Sequence, residues 1–453
     1  METMLFWDDW LLCSSFNVVR KTGKPVWIKE ATLEDGLTEG TWNFPLVFQD
    51  EDDGLWKALY GGAVDFDPVR FHKNRYLRNQ ILLYAESADG IHWVKRDVSA
   101  AVSFSGKRYA SNQVFGLAGH CDGGPVFYDT RETDPNRRLK YLFANDRKQK
   151  MAVSRDGIRW SVEETGLPEI KLDSPITCFY NENYDCYTLS RRVHNGDRRI
   201  ALIETTDFHR FTEPAVVLHP EPSDPAMVQF YGMPVYKYER MYVGLLWHFH
   251  TYPGEIEYHK DFGPIDCSLA YSFNGRNFFK ALHGPFIPRN ERGEHGGGCI
   301  YVSTMLVDSE HRIRFYSGGS KTEHFQNQHM ADAGLMLHTL RLDGFFYLES
   351  HAMKGSIMTR CVRFSGDTLK LNVRAPFGTV RVQLSDAQGA PKEGFSFADS
   401  VPFTGDALFH EPRWSSGRRP GELGGEYMHI EVELISAEIY AIRGDFEIGI
   451  GVK

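Results

Sequence analysis

No stretch of this 453-residue chain approaches the run of about 18 consecutive apolar residues that a membrane-spanning helix needs. A basic surface is missing too. Lys and Arg number 51 against 60 Asp and Glu, the formal net charge is −9, and no dense Lys/Arg run occurs. Such a chain lacks the electrostatic footprint for a phosphate backbone, so neither nucleic acid nor membrane is expected as a partner. No Gly-rich phosphate loop opens a helix, which disfavours nucleotide chemistry. The seven cysteines (13, 121, 178, 186, 267, 299, 361) are odd in number, scattered, and without a Cys-x-x-Cys pair. That pattern favours free thiols in a reducing compartment over a disulfide framework or a zinc knuckle. The opening Met1-Glu2-Thr3-Met4-Leu5-Phe6-Trp7-Asp8-Asp9 has no basic region and two aspartates, so it does not read as a signal peptide. A cytoplasmic location is the expectation, although a trimmed export signal would leave no trace.

What the chain does have is aromatic residues, 13% of the whole, with 9 Trp, 21 Tyr and 31 Phe. Aromatics fit pleated surfaces and also stack on flat ligand faces. A phrase recurs: an apolar strand, a Ser-x-Asp-Gly turn, then an aromatic. It appears as Tyr84–Trp93, as Ala152–Trp160, more weakly as Ile203–Phe211, again as Ala270–Phe278, and last as Leu340–Phe346. Asp-Gly and Asn-Gly tolerate the positive φ of a tight hairpin, so each copy marks two outer strands joined by a turn. The anchors 89, 156, 207, 274 and 343 lie 67, 51, 67 and 69 residues apart, room for four short strands each. The turns themselves read as structural hairpins on a rim rather than ligand sites.

Two further apolar strands precede each turn, such as Phe44–Phe48 with Leu55–Tyr60, and Gly232–Tyr236 with Met241–Trp247. The rhythm predicts an all-β chain, with a five-bladed β-propeller over residues 1–345. The segment around residues 4–12 is expected to close the ring or lie against its mouth. After Gly344 alternating strands such as 364–373, 378–384 and 427–434 predict an antiparallel β-sandwich over residues 346–453.

A propeller gathers the starts of its innermost strands at one end of the axis, so polar residues there are the candidates for chemistry. They include Trp42 and Asn43, His120 and Asp122, Asp173, Tyr231, and His295. The loops after the second strands add Arg147, Arg192, His248, Glu323 and His324. Carboxylates with arginines, histidines and aromatics in one mouth are what glycoside hydrolysis needs: one acid protonates the leaving oxygen, another attacks or activates water. Asp122 and Asp173 occupy equivalent places in successive repeats. A rival reading uses His120, Asp122, His248, His250, His295 and His324 as a metal site, but no ligand spacing supports it, and neither a metal nor a cofactor is expected.

The repeats and their turns resemble the five-bladed propeller glycosidases of glycoside hydrolase families 32, 43 and 68. A nearer likeness is to bacterial family-32-like proteins that open Phe-x-Asp-Asp, here Phe6-Trp7-Asp8-Asp9, and carry phrases like residues 84–93 and 340–345. The resemblance implies Asp122 as the middle, pKa-tuning acid and Asp173 as the acid/base. Asn43 stands where the third acid of those families would be, so either Asp9 or Asp8 supplies it or the mechanism differs. The fructan hydrolases' Trp-Met-Asn-Asp-Pro-Asn-Gly motif is absent. The expected function is hydrolysis of a terminal or small sugar unit. The alternatives are a non-catalytic carbohydrate-binding propeller and a metal-assisted lyase, isomerase or phosphorylase. A homo-oligomer is compatible with the sequence.

Overall fold

The computed structural model describes residues 1–34, 36–37, 44–64, 79–119, 121–145, 148–167, 176–194, 196–252, 262–324 and 332–449. Among them the chain is all-β, with short 3₁₀ turns such as Pro135–Arg137 and no α-helix, and no helix is long and apolar enough to cross a membrane. All seven cysteines are free. The contacts divide the chain into two compact units. One holds residues 25–308 and 314–339, the other residues 1–24, 309–313 and 340–453.

The larger unit is a series of five antiparallel meanders. The first runs Leu46–Gln49, Trp56–Val64, Asn79–Ser87, Trp93–Val94, and the second Cys121–Gly123 with Phe127–Tyr128, then Leu139–Asn145, Lys148–Ser154, Ser161–Glu164. The third is Ile176–Asn181, Cys186–His194, Arg198–Thr205, Ala215–Leu218. The fourth has Val228–Gly232 and Val235–Tyr238 on Met241–His250, followed by Ile265–Ser272 and Phe279–Lys280. The fifth is Cys299–Val307, Arg312–Ser320, Ala333–Arg341, and its outermost strand is Val26–Glu34 from far upstream. A single parallel pairing, Ile265 with Cys299, joins the fourth meander to the fifth.

The recurring turn works by capping its own backbone. Ser87 Oγ accepts from the Gly90 N–H at 2.9 Å, while Asp89 Oδ1 accepts from the Ile91 and His92 N–H groups at 2.8 Å. Ser154 with Asp156, Thr205 with Asp207, and Ser272 with Asn274 repeat the arrangement. The next residue takes the left-handed conformation in each case, at Gly90 (φ 73°), Gly157 (76°), Phe208 (58°) and Gly275 (72°). These polar side chains are occupied by the turn, which is their structural role. The last copy departs. Asp343 itself takes φ 60°, and its buried carboxylate is held by Arg443 and Asn372 within the smaller unit.

Each turn docks on the preceding meander. Gly157 lies over Leu59, Phe208 packs in the cluster of Leu142, Met151 and Val153, and Gly275 abuts Asn181. The first turn docks on the fifth meander: Arg314 Nη1 donates to Asp89 O at 2.8 Å and Tyr316 Oη to Gly90 O at 2.9 Å. Thr304 Oγ1 also accepts from the Val47 N–H at 3.1 Å. The first and fifth members of the series are therefore in direct contact.

In the smaller unit a nine-stranded sheet runs in the order Leu12–Phe16, Gly355–Thr359, Tyr427–Ile435, Val362–Asp386, Ala437–Ile448, Phe346–Ser350, Val19–Thr22. Glu2–Leu5 adds to Ala437–Ile448 and Phe403–His410 to Val362–Asp386. Phe6, Leu371, Val382, Ile430 and Ile442 belong to its core. Here the structure corrects an expectation: residues 4–12 do not close the ring of meanders. Met4 pairs with Ile442 and Leu12 with Thr359, while the closing strand is Val26–Glu34. Which segment pairs where is set by distant strands, not by a local pattern.

Candidate functional site

Antiparallel pairing sets the start of each meander's first strand beside the end of its second. Ile176 lies opposite Arg191, and Val228 opposite His250. That end of the larger unit carries a buried aromatic and cationic cluster drawn from several meanders. Arg192, 2% exposed, lies 4.2 Å over the ring of Tyr231 and donates from Nη1 to Tyr231 O at 3.4 Å. Arg198 donates to Gln229 Oε1 at 2.7 Å and sits 5.1 Å from the Phe249 centroid. His324 of the fifth meander stands edge-on to Tyr231 at 4.9 Å and to Phe249 at 5.0 Å, and its Nδ1 is 3.4 Å from Tyr301 Oη. Phe44, from just before the first meander, stacks on Trp247 at 5.2 Å. Three of the five meanders, and the lead-in to the first, thus meet here or directly behind it. Planar guanidinium groups above aromatic faces combine apolar area with directional donors, the mixture a sugar ring recognises.

The sequence candidates fall into groups. Arg192, Tyr231 and His324 come together as described. Glu323, beside His324, accepts from Tyr252 Oη at 2.7 and 2.9 Å; burial, then this carboxylate, pushes the phenol's pKa up. Asp122 is half-buried on the short strand Cys121–Gly123, opposite Ala144, and the next N–H, that of Gly123, donates to Gln80 Oε1 at 2.6 Å. His248 belongs elsewhere. It lies on the face of the fourth meander that packs with Phe179, Ile200 and Leu202 of the third, stacked on Phe230 at 5.4 Å. Register puts Asp266 opposite it, and His250 Nε2 holds Asp266 Oδ2 at 2.8 Å. Burial pushes the His248 pKa down to about 4, and neither ring nitrogen has a hydrogen-bond partner.

His295 is nearly buried and sits 3.2 Å from Glu34 Oε1; burial first, then Lys321, lowers its pKa. Close by, burial raises the Asp332 carboxyl even though Thr322 donates to it from N–H and hydroxyl. Asp8 and Asp9 lie in the smaller unit, where Asp8 caps the Trp10 N–H at 2.9 Å and the exposed Asp9 pairs with Arg20. Trp42, Asn43, His120, Arg147 and Asp173 lie outside the described residues. Among the described residues no group of three or more His, Cys, Asp or Glu is placed to hold a metal ion.

Arg198, Phe249 and Tyr301 were not anticipated at the site. A sequence signal for Arg198 existed: it opens the third strand of its meander, paired with His194, at the same end as the expected mouth. The aromatics alternate along strands whose facing side only the packing decides.

The sequence matches no protein-family model and no curated protein. Solved structures share the fold. A β-1,2-mannobiose phosphorylase from Listeria innocua, in complex with β-1,2-mannobiose, is similar with a TM-score of 0.50 at 12% identity, over 73% of this chain and 98% of that one. A thermostable family-43 glycoside hydrolase aligns with a TM-score of 0.44 at 12% identity, over 69% and 93% of the two chains. A family-32 β-fructofuranosidase of Bombyx mori aligns at 0.42 and 10%, over 93% and 94%. At such identities the likeness to the phosphorylase is one of fold.

Proposed function

We propose that the five meanders are the blades of a five-bladed β-propeller, that residues 346–453 build an antiparallel β-sandwich, and that the chain is a cytoplasmic glycosidase. Its substrate is a terminal or small sugar unit taken at the end of the ring where Arg192, Tyr231 and His324 meet. The observation that carries this reading is that convergence: a guanidinium, an aromatic face and an imidazole from three meanders, brought within stacking distance. Closure of the first meander on the fifth supports the blade count. The disaccharide-bound phosphorylase of similar fold supports a sugar ligand.

Asp122 and Asp173 are assigned the acid–base work. Two carboxyl groups confined in one mouth do not ionise equally, so one stays protonated and serves as donor. A separation of about 5–5.5 Å between the working pair gives retention and about 6.5–9.5 Å inversion. The test is hydrolysis of a panel of aryl glycosides and oligosaccharides by wild type, Asp122→Asn and Asp173→Asn. Each variant is expected to lose roughly 10²–10⁴-fold in turnover while keeping its unfolding transition. Near-full rates in both would refute the assignment. Saturable sugar binding with no cleavage of any substrate would instead establish a binding propeller.

A further inference from the structure

Arg191 is the least expected buried group in the larger unit. It ends the second strand of the third meander, opposite Ile176 and Ala201, and is 3% exposed. Side chains alternate along a strand, so Arg191 shares its face with Leu189. Leu189, Ile176 and Ile203 form one apolar cluster with Leu142, Met151 and Val153 of the second meander. Arg191 therefore points into the seam between the second and third meanders, one step nearer the open end than that cluster. Its Nε and Nη1 have no hydrogen-bond partner, and no carboxylate pairs with it among the described residues. Burial alone lowers its pKa; no neighbouring charge opposes that shift.

The facing wall is legible from register. Leu142 pairs with Met151, Ala144 with Gln149, and Asp122 with Ala144, so Asp122 and Gln149 share the face that Leu142 and Met151 turn toward the third meander. The seam thus holds the acid assigned to catalysis, a buried amide and a buried guanidinium with no counter-ion among the described residues. A buried charge that folding leaves uncompensated is costly unless something else brings the opposite charge. Two other buried cations of the same unit are compensated by carboxylates: Lys140 sits against Asp129 and Glu132, and Arg314 against Asp308.

We infer that the seam between the second and third meanders is an oxyanion site, in which Arg191 grips a carboxylate or phosphate group next to Asp122. The planar fork of a guanidinium matches both groups, which an ammonium would meet only as a point charge. The oxyanion is either the carboxylate of an acidic sugar substrate or a free phosphate ion. The inference rests on the proposed function only for the role of Asp122.

The experiment is calorimetric titration and thermal unfolding of the full chain in a phosphate-free buffer at constant ionic strength. The ligands are inorganic phosphate, galacturonate and glucuronate, with glucose as the uncharged control. Wild type is expected to bind one oxyanion saturably at millimolar concentration and to gain melting temperature with it. Saturation by phosphate identifies a free ion, and saturation by a uronate identifies a substrate carboxylate. Arg191→Gln is expected to weaken that binding by about thirtyfold or more. Arg191→Lys keeps the charge and is expected to fold and to bind at an intermediate strength. Unliganded Arg191→Met is expected to melt no lower than wild type, because it removes an uncompensated charge. Absence of any oxyanion effect in wild type, or equal binding by wild type and both charge variants, would overturn the inference. Asp122→Asn separates the two readings: loss of turnover with retained oxyanion binding supports both. Unchanged turnover would sink the acid assignment and leave the oxyanion site standing.

Discussion

Replacing Gly90 by Ala tests whether the first meander is locked onto the fifth. Gly90 has φ 73°, and a Cβ there would lie 2.6 Å from Arg314 Nη1, 2.6 Å from Tyr316 Oη and 3.0 Å from Trp56 Cδ2. Those two polar atoms make the hydrogen bonds to Asp89 O and Gly90 O that close the series. Gly54 is the internal control: it sits in the same meander at φ 72°, with nothing within 4 Å of its would-be Cβ. Both substitutions carry the left-handed penalty of about 1–2 kcal/mol. Only Gly90→Ala also displaces two hydrogen bonds of about 1 kcal/mol each, with a further cost of about 1–3 kcal/mol where a buried partner is orphaned. Gly90→Ala is therefore expected to cost roughly 4–7 kcal/mol against about 1–2 for Gly54→Ala. Urea unfolding followed by tryptophan fluorescence measures the difference, with Trp56 at the contact as reporter. If the two variants are equally stable within about 0.5 kcal/mol, the docked turn does not hold the first and fifth meanders together.

Other perturbations follow from the buried charges. Lys140→Met leaves Asp129, 1% exposed, without its cation and is expected to cost about 3–5 kcal/mol in urea unfolding; a cost below about 1 kcal/mol would contradict the pairing. Burial alone would raise the Glu132 carboxyl, but the Lys140 hydrogen bond and charge, the Asp134 N–H and Arg137 together outweigh it and hold the pKa below 4.5, so this contribution is present above that value and is lost as pH falls through the folded one. Burial holds His248 near 4 against 6.5 in the unfolded chain, so between those values only the unfolded chain takes the proton. Stability is then expected to fall by up to about 3 kcal/mol as pH drops across that window, a slope that His248→Phe should reduce and that Asp266, His250, Asp224 and Lys280 modulate. An unchanged acid limb in His248→Phe would show that the imidazole is not buried neutral.

The meanders were legible because their turn is a local code. Ser-x-Asp-Gly satisfies its own backbone within four residues, so it can be read without knowing what packs against it. The last copy was misleading in detail for the opposite reason: Asp343 is held by Arg443, a hundred residues on. The segment around residues 4–12 was expected to close the ring, but its strand partners, Ala437–Ile448 and Gly355–Thr359, lie far along the chain and leave no local trace. At the site, Arg192, Tyr231 and His324 were found from their places at strand ends. His248 was expected at the mouth and lies in the seam between the third and fourth meanders, because a one-residue step along a strand turns a side chain to the other face.

The pairing of Met4 with Ile442 has a consequence for synthesis. At about 5–20 residues per second, a ribosome needs roughly 20–90 seconds between making the two strands. Meanwhile the whole of residues 25–339 emerges and can complete its own ring, whose closing strand Val26–Glu34 was made first. Throughout that interval Met4, Leu5 and Phe6, all buried once the sheet is complete, have no partner. Until residues 437–448 are made, this apolar segment stays unpaired, so the elongating chain is expected to be more prone to aggregate than the finished one.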